Sequence, residues 1–482
     1  MTNKHTLEGQ IVSLHERRIF PGRVQVAGGR VVAVEEDPSV SEKTYLLPGF
    51  VDAHVHIESS MLVPSAFAAL ALPHGTLATV SDPHEIANVL GVSGVEFMLE
   101  NAALSPLKFH FGAPSCVPAT TFETAGAALG PEAVRQLLER DDIWYLAEMM
   151  NWPGVLHEDA EVMAKIRIAH ELGKPVDGHA PGLRGDDARR YAAAGITTDH
   201  ECTTIEEARD KLAAGMHILI REGSAAKNFE ALIPLLAEAP ERIMFCSDDK
   251  HPDDLIRGHI NELVVRALRH GHDLFDVLRA ACLNPVQHYG LPVGTLRPGE
   301  PADLIRVRDL ETFEVLETWI DGQCVARDGQ PLIELPEVQP VNNFSASAKQ
   351  PADFAVPAMG RRLRVIRAID GSLLTETVFA EAKVESGKAV ADTERDLLKI
   401  AVVNRYADVA PAVAFVQGFG LKRGAIASSV AHDSHNIIAV GADDEALCRA
   451  VNLIIRHKGG IAAVAGSEEM ALPLPVAGLM TA

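Results

Sequence analysis

The chain has 482 residues, 47% hydrophobic and 23% charged, which is too long for one compact core and too apolar for wholesale disorder. Against 66 Asp and Glu stand only 44 Lys and Arg, a formal net charge of −22. That balance disfavours a nucleic-acid partner and fits a cytoplasmic enzyme with a neutral or cationic small ligand.

The opening MTNKHTLEGQ carries no apolar run of the secretory kind. GQIVSLHERRIF and GRVQVAGGRVVAVEED follow, with the Gly turns and Val/Ile alternation of antiparallel strands. The same pattern returns as ADLIRVRDL and FEVLETWIDGQCVARDG. Residues 1–48 and 292–335 are therefore expected to join as one small β-sandwich that brackets what lies between.

Residues 59–80 contain no Asp, Glu, Lys or Arg. Pro64, Pro73, His74 and Gly75 interrupt them, so the stretch reads as helix, turn and strand, with no membrane partner expected. Over 49–291, eight strand candidates alternate with helical patterns: GFVDAHVHI, TLATVSD, LKFHFGA, IWYLAEM, PVDGHA, GITTDHE, MHILIRE and RIMFCSDD. That rhythm predicts an α/β fold built on a (β/α)8 barrel of the TIM type. Residues 336–356 have little periodicity and read as a linker, and 357–482 as a separate C-terminal α/β domain. The six cysteines are far apart, with no CxxC, and read as buried thiols of a reducing compartment.

Nearly every candidate strand ends in a chemically capable side chain. Asp52, His54 and His56 alternate in PGFVDAHVHIESS, and residues at i, i+2 and i+4 of a strand share a face. Strand four ends at Glu148, strand five at His179, strand six at His200 and strand eight at Asp248. A barrel brings those ends together at its C-terminal mouth. Four imidazoles and two carboxylates suit two divalent ions: His54, His56 and Asp248 around one, His179 and His200 around the other, Glu148 between them. Nitrogen and oxygen ligands of this kind admit Mn, Fe or Zn. Asp52, on the same face, is expected to orient His54 or His56.

PGFVDAHVHIESS, the strand-end histidines, the late Asp248 and NPVQHYGLPVGTLRPGEPADLIRV together resemble the amidohydrolase superfamily over about residues 8–335. Many of its bimetallic members bridge the ions with a carbamylated lysine on strand four; here Glu148 stands in LAEMMNWPG. HVHIESSM, SDPHEIANVLG, AEMMNWPGV, DGHAPGL, TDHE and SSVAHDSHNIIAVG resemble more narrowly the bacterial adenine deaminases, nearly end to end. The resemblance implies hydrolysis of adenine to hypoxanthine and ammonia, in purine salvage, with Mn or Fe favoured over Zn. A cyclic-amide hydrolase of the dihydroorotase or hydantoinase kind is the alternative within enzymes, and a catalytically inactive binding barrel the alternative outside them.

In the implied reaction a metal-bridged hydroxide attacks C6 of adenine, and Asp248 carries the proton to the departing ammonia. Ring N1 then needs a donor, for which the sequence offers His84, Glu85, Glu201 and Glu222. Asp82 and Pro83 also read as a helix start, with Asp as N-cap and Pro at N1. In a regular strand Glu201 faces away from His200. Glu58 and Ser59 lie on the loop after strand one, where a barrel keeps its specificity. His432 and His435, in HDSHN, read as a lid over the purine, an accessory metal site, or a polar turn packed against the barrel. A homodimer is the expected assembly.

Overall fold

The computed structural model describes residues 4–482. At its centre, eight parallel strands among the described residues follow the expected order: Phe50–Val55, Thr76–Ser81, Lys108–Ala113, Ile143–Met149, Val176–Gly178, Thr198–Asp199, His217–Arg221 and Ile243–Cys246. They run as a five-stranded and a three-stranded segment. Parallel bridges Val176 to Ile196 and Val55 to Asp248 join the two segments and close the barrel. Helices between the strands cover the outside. Ala160–Glu171 is capped by the Asp159 carboxylate and Ile205–Ala213 by the Thr204 hydroxyl, each accepting N–H bonds that the first turn cannot satisfy internally.

Strands five and six are very short because their ends turn into the site. Gly178 lets them approach: a Cβ there would lie 2.3 Å from the Thr198 carbonyl oxygen. In strand seven, Ile218 and Ile220 belong to the apolar layer that holds Leu263 and Val264 of the helix Ile260–Arg269. Leu219 belongs to a different cluster, with Met244 and Cys246 of strand eight. His217, Leu219 and Arg221 therefore share the inner face.

Strands of the two flanks are hydrogen-bonded into a single sheet. Its order runs Gln330–Pro331, Gln323–Arg327, Val315–Ile320, Leu304–Val307, Tyr45–Leu47, Lys4–Ser13, Arg18–Ala27 and Arg30–Glu36. Tyr45–Leu47 pairs on one side with Lys4–Ser13 and on the other with Leu304–Val307. Leu7, Ile11 and Val24 of the first flank share a core with Leu296 and Leu304 of the second. Five cysteines are buried, Cys324 is half-buried, and all six are free thiols.

Residues 336–350 have no regular secondary structure but are tied down over residues 343–349. Asn343 Nδ2 donates to the Val89 carbonyl on the barrel at 3.1 Å, Ser345 N to Arg405 O at 2.7 Å, and Lys349 N to Asn452 Oδ1 at 2.8 Å. The segment is a fixed strap. Beyond it, an eight-stranded sheet carries the helix Asp444–His457 on one face. Leu447, Val451 and Ile454 of that helix are buried against Ala401, Ala427 and Ile437. The chain end returns to the barrel, where Thr481 N donates to Met61 O and Val63 N to Thr481 O, both at 2.9 Å. Among the described residues no helix is long and apolar enough to cross a membrane.

Candidate metal centre

The six residues expected as ligands meet at the C-terminal mouth. His54 Nε2 and His56 Nε2 are 3.1 Å apart. Glu148 Oε2 lies 3.8 Å from His54 Nε2, 2.8 Å from His179 Nδ1 and 2.9 Å from His200 Nε2, and its Oε1 is 3.6 Å from His56 Nε2. Asp248 Oδ1 is 3.4 Å from His56 Nε2 and 3.9 Å from His54 Nε2. Ligand atoms about 2.1 Å from a shared ion stand roughly 3–3.5 Å from each other, which most of these separations approach. His54, His56, Glu148, His200 and Asp248 are all 3% exposed or less.

The donor set fits divalent cations. Burial alone pushes both carboxyls up, yet His179 and His200 hold Glu148 well below the carboxylate range, while a hydrogen bond from His56 and the Arg221 charge do the same for Asp248. Two anionic carboxylates thus face four imidazoles. Burial lowers His179, but Glu148 beside it outweighs that and raises it to about 9. In the bare cluster protons on imidazole supply the positive charge that a metal ion supplies more effectively. Several subsets have ligand atoms close enough for one ion, among them His54, His56 and Asp248; His54, Glu148 and His200; His179, His200 and Glu201; and His56, Asp82, His84 and Glu148.

Supporting contacts fix the ligands. His56 Nδ1 donates to the Asp82 carbonyl at 3.1 Å. Tyr191 Oη accepts from His179 N at 3.0 Å and donates to Met149 O at 2.7 Å, joining the ends of strands four and five. Asp248 adopts a left-handed backbone, φ 56°, which side chains other than glycine rarely take. Its N–H to His54 O (2.9 Å) and the His56 N–H to its carbonyl (3.3 Å) hold it there. Asp52 does not orient either imidazole. It accepts from His54 N (3.3 Å), Ser247 N (2.9 Å) and His259 Nε2 (2.8 Å), bracing strand one against strand eight.

The four candidate N1 donors part company. Glu222, one residue beyond Arg221, falls on the outer face and pairs with Arg266 at 2.7 Å, so it is not brought to the mouth. Glu201 does enter, because regular pairing stops at Asp199. The buried Asp199 carboxylate accepts from Ala180 N and Glu201 N, both at 2.9 Å, and turns the chain. Glu201 Oε1 then sits 3.5 Å from His200 Nε2 and 3.6 Å from His179 Nδ1. His84 also reaches in, its Nδ1 3.4 Å from Glu148 Oε1 and 3.1 Å from Asp82 Oδ2. The helix His84–Leu90 starts one residue later than expected, with Pro83 at the N-cap and Asp82 accepting from His84 N at 3.0 Å.

Glu85 is held by the C-terminal domain: His432 Nδ1 bonds one of its oxygens and His435 Nε2 the other. His435 Nδ1 accepts from Ala431 N at 3.2 Å, so the ring proton resides on Nε2. In that tautomer Glu85, His432 and His435 form a hydrogen-bonded latch between barrel and C-terminal domain, and the same three side chains also bring ligand atoms close enough for one ion. Glu58 Oε1 accepts from Ile86 N at 3.1 Å beneath the same loop, and its carboxyl is raised to about 7 by burial. Ser59 donates to Asp249 on the loop after strand eight. Arg221, absent from the expected site, bonds Glu201 and Asp248 together.

An amidohydrolase family model matches residues 45–325, and a second model, the adenine deaminase C-terminal domain, matches 372–482. The chain is 59% identical over 482 residues to the adenine deaminase of Salinibacter ruber, covering 100% of this chain and 88% of that one. It is 52% identical to that of Methanosarcina mazei (98% and 87% covered) and 48% identical to that of Borreliella burgdorferi (98% and 88%). Solved structures of N-acetyl-D-glucosamine-6-phosphate deacetylase from Mycobacterium smegmatis and a beta-aspartyl dipeptidase from Fervidobacterium islandicum share the fold. Their TM-scores are 0.52 and 0.51, at 18% and 17% identity, over 67% and 68% of this chain and 99% and 98% of theirs. With residues 45–325 and 372–482 both matched and full-length relatives at 48–59% identity, the chain belongs to the amidohydrolase family and, within it, to the adenine deaminases.

Proposed function

We propose that the protein hydrolyses adenine to hypoxanthine and ammonia at the mouth of the barrel. The observation that carries this reading is the convergence of His54, His56, Glu148, His179, His200 and Asp248 in a chain that matches adenine deaminases over its whole length. The family is metal-dependent; here His54, His56 and Asp248 would hold one ion and His179 and His200 a second, with Glu148 shared. Mn or Fe is the proposed occupant and Zn the next. When bound, such ions acidify water toward neutral pH and stabilise charge at the reacting carbon.

The chain's own residues do the remaining work. Asp248, ionised and bonded to Arg221, serves as proton acceptor and then donor to the departing ammonia. Glu201 is the group proposed to face ring N1. Glu85 is held by two histidines and Glu222 points away; His84, engaged with Glu148 and Asp82 through Nδ1 and with Nε2 free of hydrogen bonds, is the second candidate. The Arg221 guanidinium fixes the position of Glu201, Nη2 donating to Oε2 at 3.0 Å. The carbamylated lysine of the cyclic-amide hydrolases has no counterpart where Glu148 stands.

Purification of the full chain, reconstitution with Mn or Fe, and an ammonia-release screen of adenine, guanine, cytosine and cyclic amides tests this. Adenine is expected to be turned over well above the rest. Cleavage of a cyclic amide with adenine untouched would overturn the reading.

A further inference from the structure

Glu201 is fixed at both ends. Arg221 holds its carboxylate, and the Asp199 carboxylate accepts its backbone N–H at 2.9 Å. Asp199 is 0% exposed, and an ionised carboxylate at that depth needs a countercharge. Lys211, on the helix Ile205–Ala213, supplies it. This lysine is itself 0% exposed, a rare setting for an ammonium. Three oxygens surround its three N–H groups: Ala180 O at 2.7 Å, Asp199 Oδ1 at 2.9 Å and Glu207 Oε1 at 3.0 Å. No step of the proposed reaction uses it.

These contacts bind two segments of the mouth into one unit. Ala180, next to His179, is gripped on both sides: its N–H donates to Asp199 Oδ2 at 2.9 Å and its carbonyl accepts from Lys211. Glu207 extends the grip, accepting from Gly182 N at 2.8 Å after strand five and from Thr203 N at 3.2 Å after strand six. Lys211 thus lies where the segment carrying His179 meets the segment carrying His200 and Glu201. Stability alone does not call for such a group, because apolar side chains often replace a buried ion cluster without loss. An apolar side chain at this one position would leave the Ala180 carbonyl and the Asp199 carboxylate without their partner.

We propose that Lys211 is a positioning residue that holds the His179 imidazole and the Glu201 carboxylate in one register, so that binding of the second ion and the placing of Glu201 at ring N1 depend on the same buried ammonium. The assignment rests on the roles proposed above for His179 and Glu201. Lys211 acts through the backbone of Ala180 and through Asp199, and touches neither the ions nor the base. A shift of about 1 Å in a group that faces the reacting ring lowers turnover by about 100-fold, and loosening the support of a ligand weakens its metal by about 10-fold or more. Lys211 is placed to produce both effects at once, whereas Tyr191 supports His179 alone.

The test titrates metal-free full chain, unaltered and Lys211→Met, with Mn while bound ion and ammonia release from adenine are followed. In Lys211→Met the second ion is expected to bind about 10-fold or more weakly, and the first, held from strands one and eight, as in the unaltered chain. At saturating Mn, kcat is expected to stay about 100-fold low with little change in KM. In a Glu201→Gln background the same substitution should lose most of that effect on kcat, because the two changes act through one group. If melting shows that the single variant does not fold, Lys211→Met with Glu207→Gln, which leaves one buried carboxylate fewer without its partner, decides by the same readouts. Equal weakening of both ions, full kcat at saturating Mn, or the same loss of kcat in both backgrounds would overturn the proposal. Adenine left untouched by the unaltered, metal-loaded chain would instead strike the function proposed above, and the loading curve alone then decides the role of Lys211.

Discussion

The guanidinium of Arg221 hydrogen-bonds the carboxylates of Glu201 and Asp248 at once. One cation thereby sets the relative position of the two groups assigned to proton transfer, and its charge helps hold Asp248 ionised against burial and alongside the His56 bond. Lysine in its place keeps the charge but cannot span two carboxylates. Arg221→Lys is expected to lower kcat by about 100-fold while adenine KM changes little. A carboxyl whose pKa is depressed works above that pKa and fails as pH falls through it. Arg221→Ala, which removes the charge as well, raises the Asp248 pKa, so the acid limb of its kcat/KM profile should move to higher pH, which a pH–rate series reads directly.

Glu148 touches imidazoles from strands one, five and six. Glu148→Gln keeps the shape and removes the charge. Turnover is expected to fall by about 10³-fold or more, with less than two ions retained per chain by elemental analysis. Near-normal activity at full metal loading would show that Glu148 is not shared between the ions.

Tyr191 joins the ends of strands four and five through one hydroxyl. Tyr191→Phe leaves every ligand in place but frees the backbone beneath His179. Metal affinity is expected to drop about 10-fold, measured by competition with a chelator, with kcat restored at saturating metal.

The latch from the C-terminal domain is pH-dependent. Burial lowers the His432 imidazole, but the Glu85 carboxylate outweighs that and raises it to about 10. A raised imidazole stabilises the fold fully below its unfolded value of about 6.5, and that contribution is lost as pH rises through about 10. Glu85→Gln should therefore lower the melting temperature most at pH 6, with the difference from the unaltered chain shrinking toward pH 10. His435→Ala, which strips one bond from the buried Glu85, is expected to cost about 1–3 kcal/mol in chemical denaturation.

Much of the barrel was legible because its strands are short apolar runs that each end in a polar residue, and because HVH fixes a face by simple alternation. The same alternation, carried through HILIRE, separates Arg221 from Glu222; reading the strand end as a carboxylate site put the wrong one at the mouth. Glu201 broke the alternation, since Asp199 turns the chain where no turn-forming Gly or Pro marks it. Asp52 shares the face of His54 yet points its carboxylate at Ser247 and His259, contacts some 200 residues distant that no local pattern announces. HDSHN stood out as an odd cluster, but its partner Glu85 lies 350 positions before His435. Only the three-dimensional return of the C-terminal domain to the barrel brings Glu85 to the two histidines.

The most direct measurement is hypoxanthine and ammonia formation from adenine as metal-free full chain is titrated with Mn. Both products should appear in equal amounts, with activity rising until two ions per chain are bound and no further. A protein that binds two ions through these side chains and leaves adenine unchanged would contradict the assignment of the strand-end cluster as the site of deamination.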